Sequence, residues 1–200
     1  MDEKSKQMII ENYRNLFLKH GSGPEVGQWS PEGQQFRFEK LIEIGDLRGS
    51  RVLDLGCGIG DFYPFLLKRF DEIDYTGIEI VPDLVDNAAK KYPNANFLCC
   101  DILTIGINGM FEYAFISGMF NNAIIDCTNF MKRFITVVFK HCTKGVAFNF
   151  TSTYTNHIDP GMEYHNPIDI FDFCLRTLTR KATMHHHYKR CDVAIFLYRE

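Results

Sequence analysis

The chain has 200 residues, 46% of them apolar, and a formal charge of −3, which suits one sizeable hydrophobic core and is too short for two. No Lys or Arg run exceeds two residues, so nothing supplies the basic track that a phosphate backbone requires, and nucleic acid is excluded as an expected partner. No apolar run approaches the roughly 20 residues that span a bilayer, and the opening MDEKSKQ is polar and acidic, unlike a secretory signal; the expectation is a soluble, cytoplasmic protein without a membrane partner.

In chain order, Glu3–Lys19 places Ile9, Ile10, Tyr13, Leu16 and Phe17 at helical spacing, and Gly21-Ser-Gly-Pro24 ends the run. A mobile loop is expected there, then a short helix over Phe36–Ile44. Arg51 to Leu55 is a short apolar strand of the kind buried on both faces of a parallel sheet. It ends at Gly56, and Asp61–Phe70 reads as the following helix. Tyr75–Ile80 is a second strand ending in Glu79, and Asn96–Ile102 a third ending in Asp101. Phe111–Gly118 follows as strand four, Ile124–Phe139 as a helix, Gly145–Thr151 as strand five and Ile168–Leu178 as a helix. Ala182–Tyr188 and Asp192–Tyr198 are two strand-like runs three residues apart, a hairpin connection and therefore antiparallel.

The glycines at 56, 58 and 60 let the backbone turn sharply and approach a ligand closely. Their spacing, G-x-G-x-G with an acid two residues before the first, departs from the G-x-G-x-x-G of dinucleotide sites. A tight strand-to-helix turn without a ligand is the plain alternative. An acid at the end of the second strand, Glu79, can take both hydroxyls of a ribose. Taken singly, Glu79 and Asp101 are ordinary strand-end acids; three such strand ends in order, separated by helix-length segments, argue together for a nucleoside-bearing ligand.

The stretch Asp54-Leu-Gly-Cys-Gly-Ile-Gly60 resembles motif I of the class I S-adenosylmethionine-dependent methyltransferases, and the element series is similar to their sheet over essentially the whole chain. The resemblance implies an α/β fold: a doubly wound, mostly parallel seven-stranded sheet with a C-terminal antiparallel hairpin and helices on both faces, in one domain with residues 1–50 as a helical cover and 51–200 as the cofactor-binding core. It implies S-adenosylmethionine as cofactor and S-adenosylhomocysteine as product. The loop residues Asp54, Gly56, Cys57, Gly58, Gly60 and Asp61 are expected against the amino-acid part, and Glu79 and Ile80 at the ribose. Asp101 and Ile102 belong beside the adenine, and Ser117 near the transferring methyl. Trp29 on the N-terminal segment is a candidate lid, and Arg37 a candidate partner for the cofactor carboxylate. Gln28 to Phe38, Ser117-Gly-Met-Phe-Asn121 and the C-terminal hairpin resemble small bacterial methyltransferases of natural-product or surface-glycan pathways.

The acceptor is less readable. Strand four ends Ile116-Ser-Gly-Met-Phe-Asn-Asn122, without the two prolines of the amine- and amide-methylating type and without the carboxylate that holds magnesium in the catechol type, so no metal is expected. Asn121 and Asn122 are candidates for hydrogen bonds to substrate or for capping the next helix. His157, Tyr164, His165 and Asp169 are candidate bases, against roles as loop or capping residues. His185, His186 and His187 lack flanking ligands for a metal, and the seven cysteines form no C-x-x-C pair and read as reduced core residues. The leading function is methyl transfer to an O or N nucleophile of a small-molecule acceptor. The alternatives are a protein or peptide methyltransferase, a non-catalytic cofactor-binding partner subunit and, more remotely, a dinucleotide-dependent oxidoreductase.

Overall fold

Apolar runs that alternate with helices bury both faces of the resulting sheet, and the chain builds its architecture on that pattern. The computed structural model describes residues 1–187 and 191–200. Seven strands, β1 (Arg51–Leu55), β2 (Asp74–Glu79), β3 (Asn96–Cys99), β4 (Phe111–Ile116), β5 (Cys142–Thr151), β6 (Ala182–His186) and β7 (Asp192–Tyr198), form one sheet in the order β3-β2-β1-β4-β5-β7-β6. β7 lies antiparallel between β5 and β6, and the other neighbours pair in parallel. This is the expected doubly wound fold with its C-terminal hairpin. Strand order reverses between β1 and β4, so the crevice beyond their carboxyl ends is where an open α/β sheet receives ligands.

The helices are α1 (Glu3–His20), α2 (Pro31–Leu41), α3 (Phe62–Leu67), α4 (Pro82–Lys91), α5 (Ile102–Ile105), α6 (Cys127–Lys140) and α7 (Pro167–Thr177). Alternation along β1 sends Leu53 and Leu55 into a core with Met131, Ile135 and Val138 of α6 and Ile170 of α7. Val52 points the other way, into a core with Phe62 and Phe65 of α3 and Phe38 and Leu41 of α2. A third cluster joins Ile10, Tyr13 and Phe17 of α1 to Val81 and Leu84 at the start of α4, with Val26 and Ile59 between them.

Several boundaries differ from the sequence expectation. α2 begins at Pro31 rather than Phe36, because Ser30 accepts a bond from Gly33 N at 3.1 Å and Pro31 occupies the first turn; Ile42–Ile44 is then a 3-10 turn. The loop after α1 contains a 3-10 turn, Pro24–Gly27, anchored by the buried Val26. α3 stops at Leu67. β3 stops at Cys99, since Asp101 turns the chain by capping α5 with a bond from Leu103 N. α6 starts at Cys127, after Asp126 in a left-handed conformation. β6 ends at His186, and the expected strand end Tyr188 lies outside the described residues.

Candidate cofactor and acceptor site

The reversal point of the sheet carries the glycine loop. Gly58 has φ +54, and a Cβ built on it would meet nothing within 4 Å, so bare backbone faces open space there. Gly60 has φ +80, and a Cβ would lie 2.8 Å from Phe97, so a side chain is barred by packing as well as by conformation. Glu79 fastens this loop to the end of β2: one carboxylate oxygen accepts from Gly58 N at 3.1 Å and the other from Ile80 N and Val81 N at 2.7 and 3.1 Å. Burial pushes the Glu79 carboxyl upward, with those three bonds opposing it. Asp54, at 3% exposure, accepts from the Tyr75 hydroxyl at 2.6 Å. Burial drives its pKa up to about 7, against the Tyr75 bond and with a contribution from the charge of Glu79. Asp101 pairs with Lys6 Nζ at 3.0 Å; burial works to raise its carboxyl, but the bonds from Lys6, Leu103 and Thr104 hold it below the usual range. Asp61 pairs with Lys91 at 3.0 Å.

One cavity of about 160 Å³ collects Asp54, Gly56, Cys57, Gly58 and Asp61 from β1 and its loop. The same cavity takes Glu79 and Ile80 from β2, and Asp101 and Ile102 from the start of α5. Ser117 and Asn122 line it from the segment after β4, and Trp29 from the N-terminal segment. Gly60 sits behind the loop, against Phe97. Bare loop backbone together with two acids, the buried Asp54 and the half-buried Glu79, that have no Lys or Arg partner among the described residues fits a cofactor carrying a sulfonium, an ammonium and a ribose.

Other candidates are placed elsewhere. Arg37 does not line the cavity. Its Nη2 is 2.8 Å from the Asp192 carboxylate and its Nη1 donates to Gly33 O at 3.0 Å, because Asp192 on β7 is nearly fully buried and draws the guanidinium to it. The guanidinium lies 3.9 Å from the centroid of the Trp29 ring, so Arg37 supports Trp29 rather than facing the pocket. Gly118 packs against the same ring, where any Cβ would collide with Trp29 Cζ2.

His165 is a core histidine: its Nε2 is 2.9 Å from Phe120 O and its Nδ1 3.1 Å from the Thr128 hydroxyl, and burial pushes its pKa down. His157 is exposed and pairs with Asp159, and the Tyr164 hydroxyl accepts from Asp159 N. Asp169 lies exposed in the first turn of α7. None of these four lines the cavity. Asn121 is turned inward, accepting from Thr151 N at 3.1 Å, and the cap position of α6 belongs to Asp126, so neither Asn121 nor Asn122 caps that helix.

Cys57, Cys127, Cys142 and Cys174 are buried as expected, whereas Cys99 is exposed on the edge strand β3 and Cys100 and Cys191 are half-buried. Among the described residues no group of three or more His, Cys, Asp or Glu is arranged to hold a metal; His185 packs on Phe196 and His186 meets Ser152.

Sequence reasoning missed Tyr13 and Ile9 of α1, and Met119, Ile124, Phe130 and Phe134 after β4, all of which line the cavity. Helical spacing marked Ile9 and Tyr13 as an apolar face without showing what it covers. Phe130 and Phe134 stand one helical turn apart on α6, which reads equally as ordinary core.

Residues 52–141, from β1 through α6, match a family model described as a methyltransferase domain. A Mycobacterium tuberculosis protein named only as a methyltransferase is 27% identical over 165 residues, 73% of this chain and 91% of that one. The ubiquinone biosynthesis O-methyltransferase of Xylella fastidiosa is 30% identical over 89 residues, 40% of this chain and 35% of its own length. The matched stretch therefore spans about a third of that relative. The structure of magnesium protoporphyrin IX methyltransferase from Synechocystis with bound S-adenosylmethionine superposes with a TM-score of 0.71 at 15% identity, covering 100% of this chain and 98% of that one. The sheet order and the motif I loop at its reversal point agree with these likenesses: residues 52–141 match a methyltransferase domain, and the chain has the fold of S-adenosylmethionine-dependent methyltransferases.

Proposed function

We propose that the protein transfers a methyl group to an oxygen or nitrogen of a small-molecule acceptor. The observation that carries this reading is that Ile9 and Tyr13 of α1 and Trp29 join the strand-end residues in lining a single cavity, which suits a small acceptor held among these elements. When bound, S-adenosylmethionine supplies a methyl already activated by its sulfonium, so the chain's work is to hold two reactants in line and keep water out. In this reading Asp54 and the glycine loop hold the amino-acid part, Glu79 uses its remaining lone pair on the ribose, and Asp101 meets the adenine. Natural-product or surface-glycan biosynthesis is the context suggested by the resemblance of the Gln28–Phe38 segment.

The test is transfer of tritium from methyl-labelled S-adenosylmethionine to small-molecule and protein fractions of a cell extract. Label is expected in the small-molecule fraction, undiminished by EDTA; label confined to protein, or activity lost to EDTA and restored by magnesium or zinc, overturns the corresponding part. In calorimetry S-adenosylmethionine and S-adenosylhomocysteine bind, and NAD does not.

Residues 1–38 serve in this proposal as a cover that settles on the bound cofactor. The cavity of about 160 Å³ is small beside the roughly 300–1,000 Å³ of small-molecule sites, which supports a cover that opens to admit a ligand. Trp29 is the only tryptophan; its fluorescence should change on adding S-adenosylhomocysteine, and amide exchange across residues 21–38 should slow. If neither changes while the ligand binds, the segment is a fixed wrap.

A further inference from the structure

Four acids, Asp54, Asp61, Glu79 and Asp101, line the cavity, and among the described residues no Lys, Arg or His side chain joins them. Lys6 and Lys91 neutralise Asp101 and Asp61, while Asp54 and Glu79 meet only a hydroxyl and backbone N–H groups. Bound S-adenosylmethionine brings its own sulfonium, ammonium and carboxylate, and the lining offers an acceptor no Lys, Arg or His side chain. An anionic acceptor would stand beside Asp54 and Glu79 without a Lys, Arg or His side chain to neutralise it, an arrangement that sites of low dielectric penalise.

A neutral polar pair crosses the same cavity. Asn122 Nδ2 donates to the Tyr13 hydroxyl oxygen at 3.0 Å, joining α1 to the segment after β4. The Asn122 Oδ1 lies 3.4 Å from that hydroxyl, too long for a good O–H···O bond, and so retains its capacity to accept. Burial and the neighbouring charge of Glu79 keep the Tyr13 phenol protonated. A hydroxyl or amine offers both a proton for Asn122 Oδ1 and a lone pair for a donor, whereas a carboxylate offers only lone pairs. Met119, Ile124, Phe130 and Phe134 add apolar and aromatic surface beside this pair, suited to a flat ring.

We propose that the acceptor is an uncharged aromatic hydroxyl or amine, positioned by Tyr13 and Asn122, and that carboxylates are rejected. The inference rests on the methyltransferase reading above. The acceptor's oxygen or nitrogen forms the new bond to the methyl carbon as the carbon–sulfur electron pair passes to sulfur, and the acceptor's proton leaves to water.

The test uses the full chain saturated with S-adenosylhomocysteine and two probes that share a ring and differ in charge, 2-naphthol and 2-naphthoate, followed by ligand-observed NMR. Naphthol is expected to bind at least tenfold more tightly than naphthoate. Tyr13→Phe and Asn122→Ala should each weaken naphthol at least fivefold while changing S-adenosylhomocysteine affinity less than twofold, a split that a merely structural strap would not produce. Naphthoate binding as well as naphthol, no naphthol binding to loaded protein, or variants that leave naphthol affinity unchanged overturns the acceptor class. Failure of the wild-type protein to bind S-adenosylhomocysteine overturns the cofactor reading beneath it, and is seen before either probe is added.

Discussion

Replacing Glu79 with alanine should lower S-adenosylmethionine affinity by about 10- to 150-fold, the equivalent of roughly 1.5–3 kcal/mol for hydrogen bonds to a charged group. Two effects act together. The variant loses the acid proposed for the ribose, and it releases Gly58 N, Ile80 N and Val81 N from their shared acceptor, so the loop that faces the cofactor is no longer tied to β2. Donors left without a partner in a buried setting cost roughly 1–3 kcal/mol, and each kcal/mol moves Tm by about 2–4 °C for a chain of this size. Glu79→Gln separates the contributions: it keeps one accepting oxygen but turns amide hydrogens toward backbone donors, and should fall between wild type and alanine in both measurements. Calorimetry with S-adenosylmethionine and a thermal melt of the free protein check the pair. Unchanged affinity in the alanine variant would remove Glu79 from the site.

The second large effect concerns Asp54 and pH. Burial holds its folded-state carboxyl at about 7, whereas an unfolded aspartate titrates near roughly 3.9. Between those values the folded chain keeps a proton that the unfolded chain has released, so stability falls as pH rises through that window; the contribution is fully present below pH ~4 and lost above pH ~7. Three units at about 1.36 kcal/mol each amount to roughly 4 kcal/mol. Asp54→Asn still accepts the Tyr75 hydroxyl bond but does not ionise, so it should flatten this part of the stability profile and be the more stable protein at pH 8.

Cofactor affinity should move the opposite way. The ionised carboxylate suits a cationic ligand, so wild-type affinity for S-adenosylmethionine should climb between pH 6 and 8, and Asp54→Asn should lose the climb and bind more weakly throughout. Urea unfolding at pH 5 and 8 with calorimetry at the same values reads both. Parallel stability profiles for the two proteins would show that Asp54 is ionised in the free fold. In the expected case, the binding site is maintained at a cost in stability, a trade that sites of function commonly show.

The sequence by itself determined the element order, the parallel sheet with its antiparallel end, and the cluster of Asp54, Gly58, Glu79 and Asp101. These features are local: buried strands are unbroken apolar runs, strand ends are marked by acids and glycines, and a sheet built from alternating strands and helices has one reversal point at which such ends gather. Tertiary structure alone decided what each buried face meets. Periodicity says that Ile9 and Tyr13 lie on one side of α1, not that this side lines the cavity. Arg37 looked available for a ligand because its partner, Asp192, stands 155 positions away, and His165 looked like a base until Phe120 and Thr128 were seen to occupy both ring nitrogens. Hydrogen bonds and ion pairs between distant segments leave no periodic trace in a chain, because a single polar residue carries no register. Which polar groups remain free to meet a ligand is therefore settled only when the fold has paired the others.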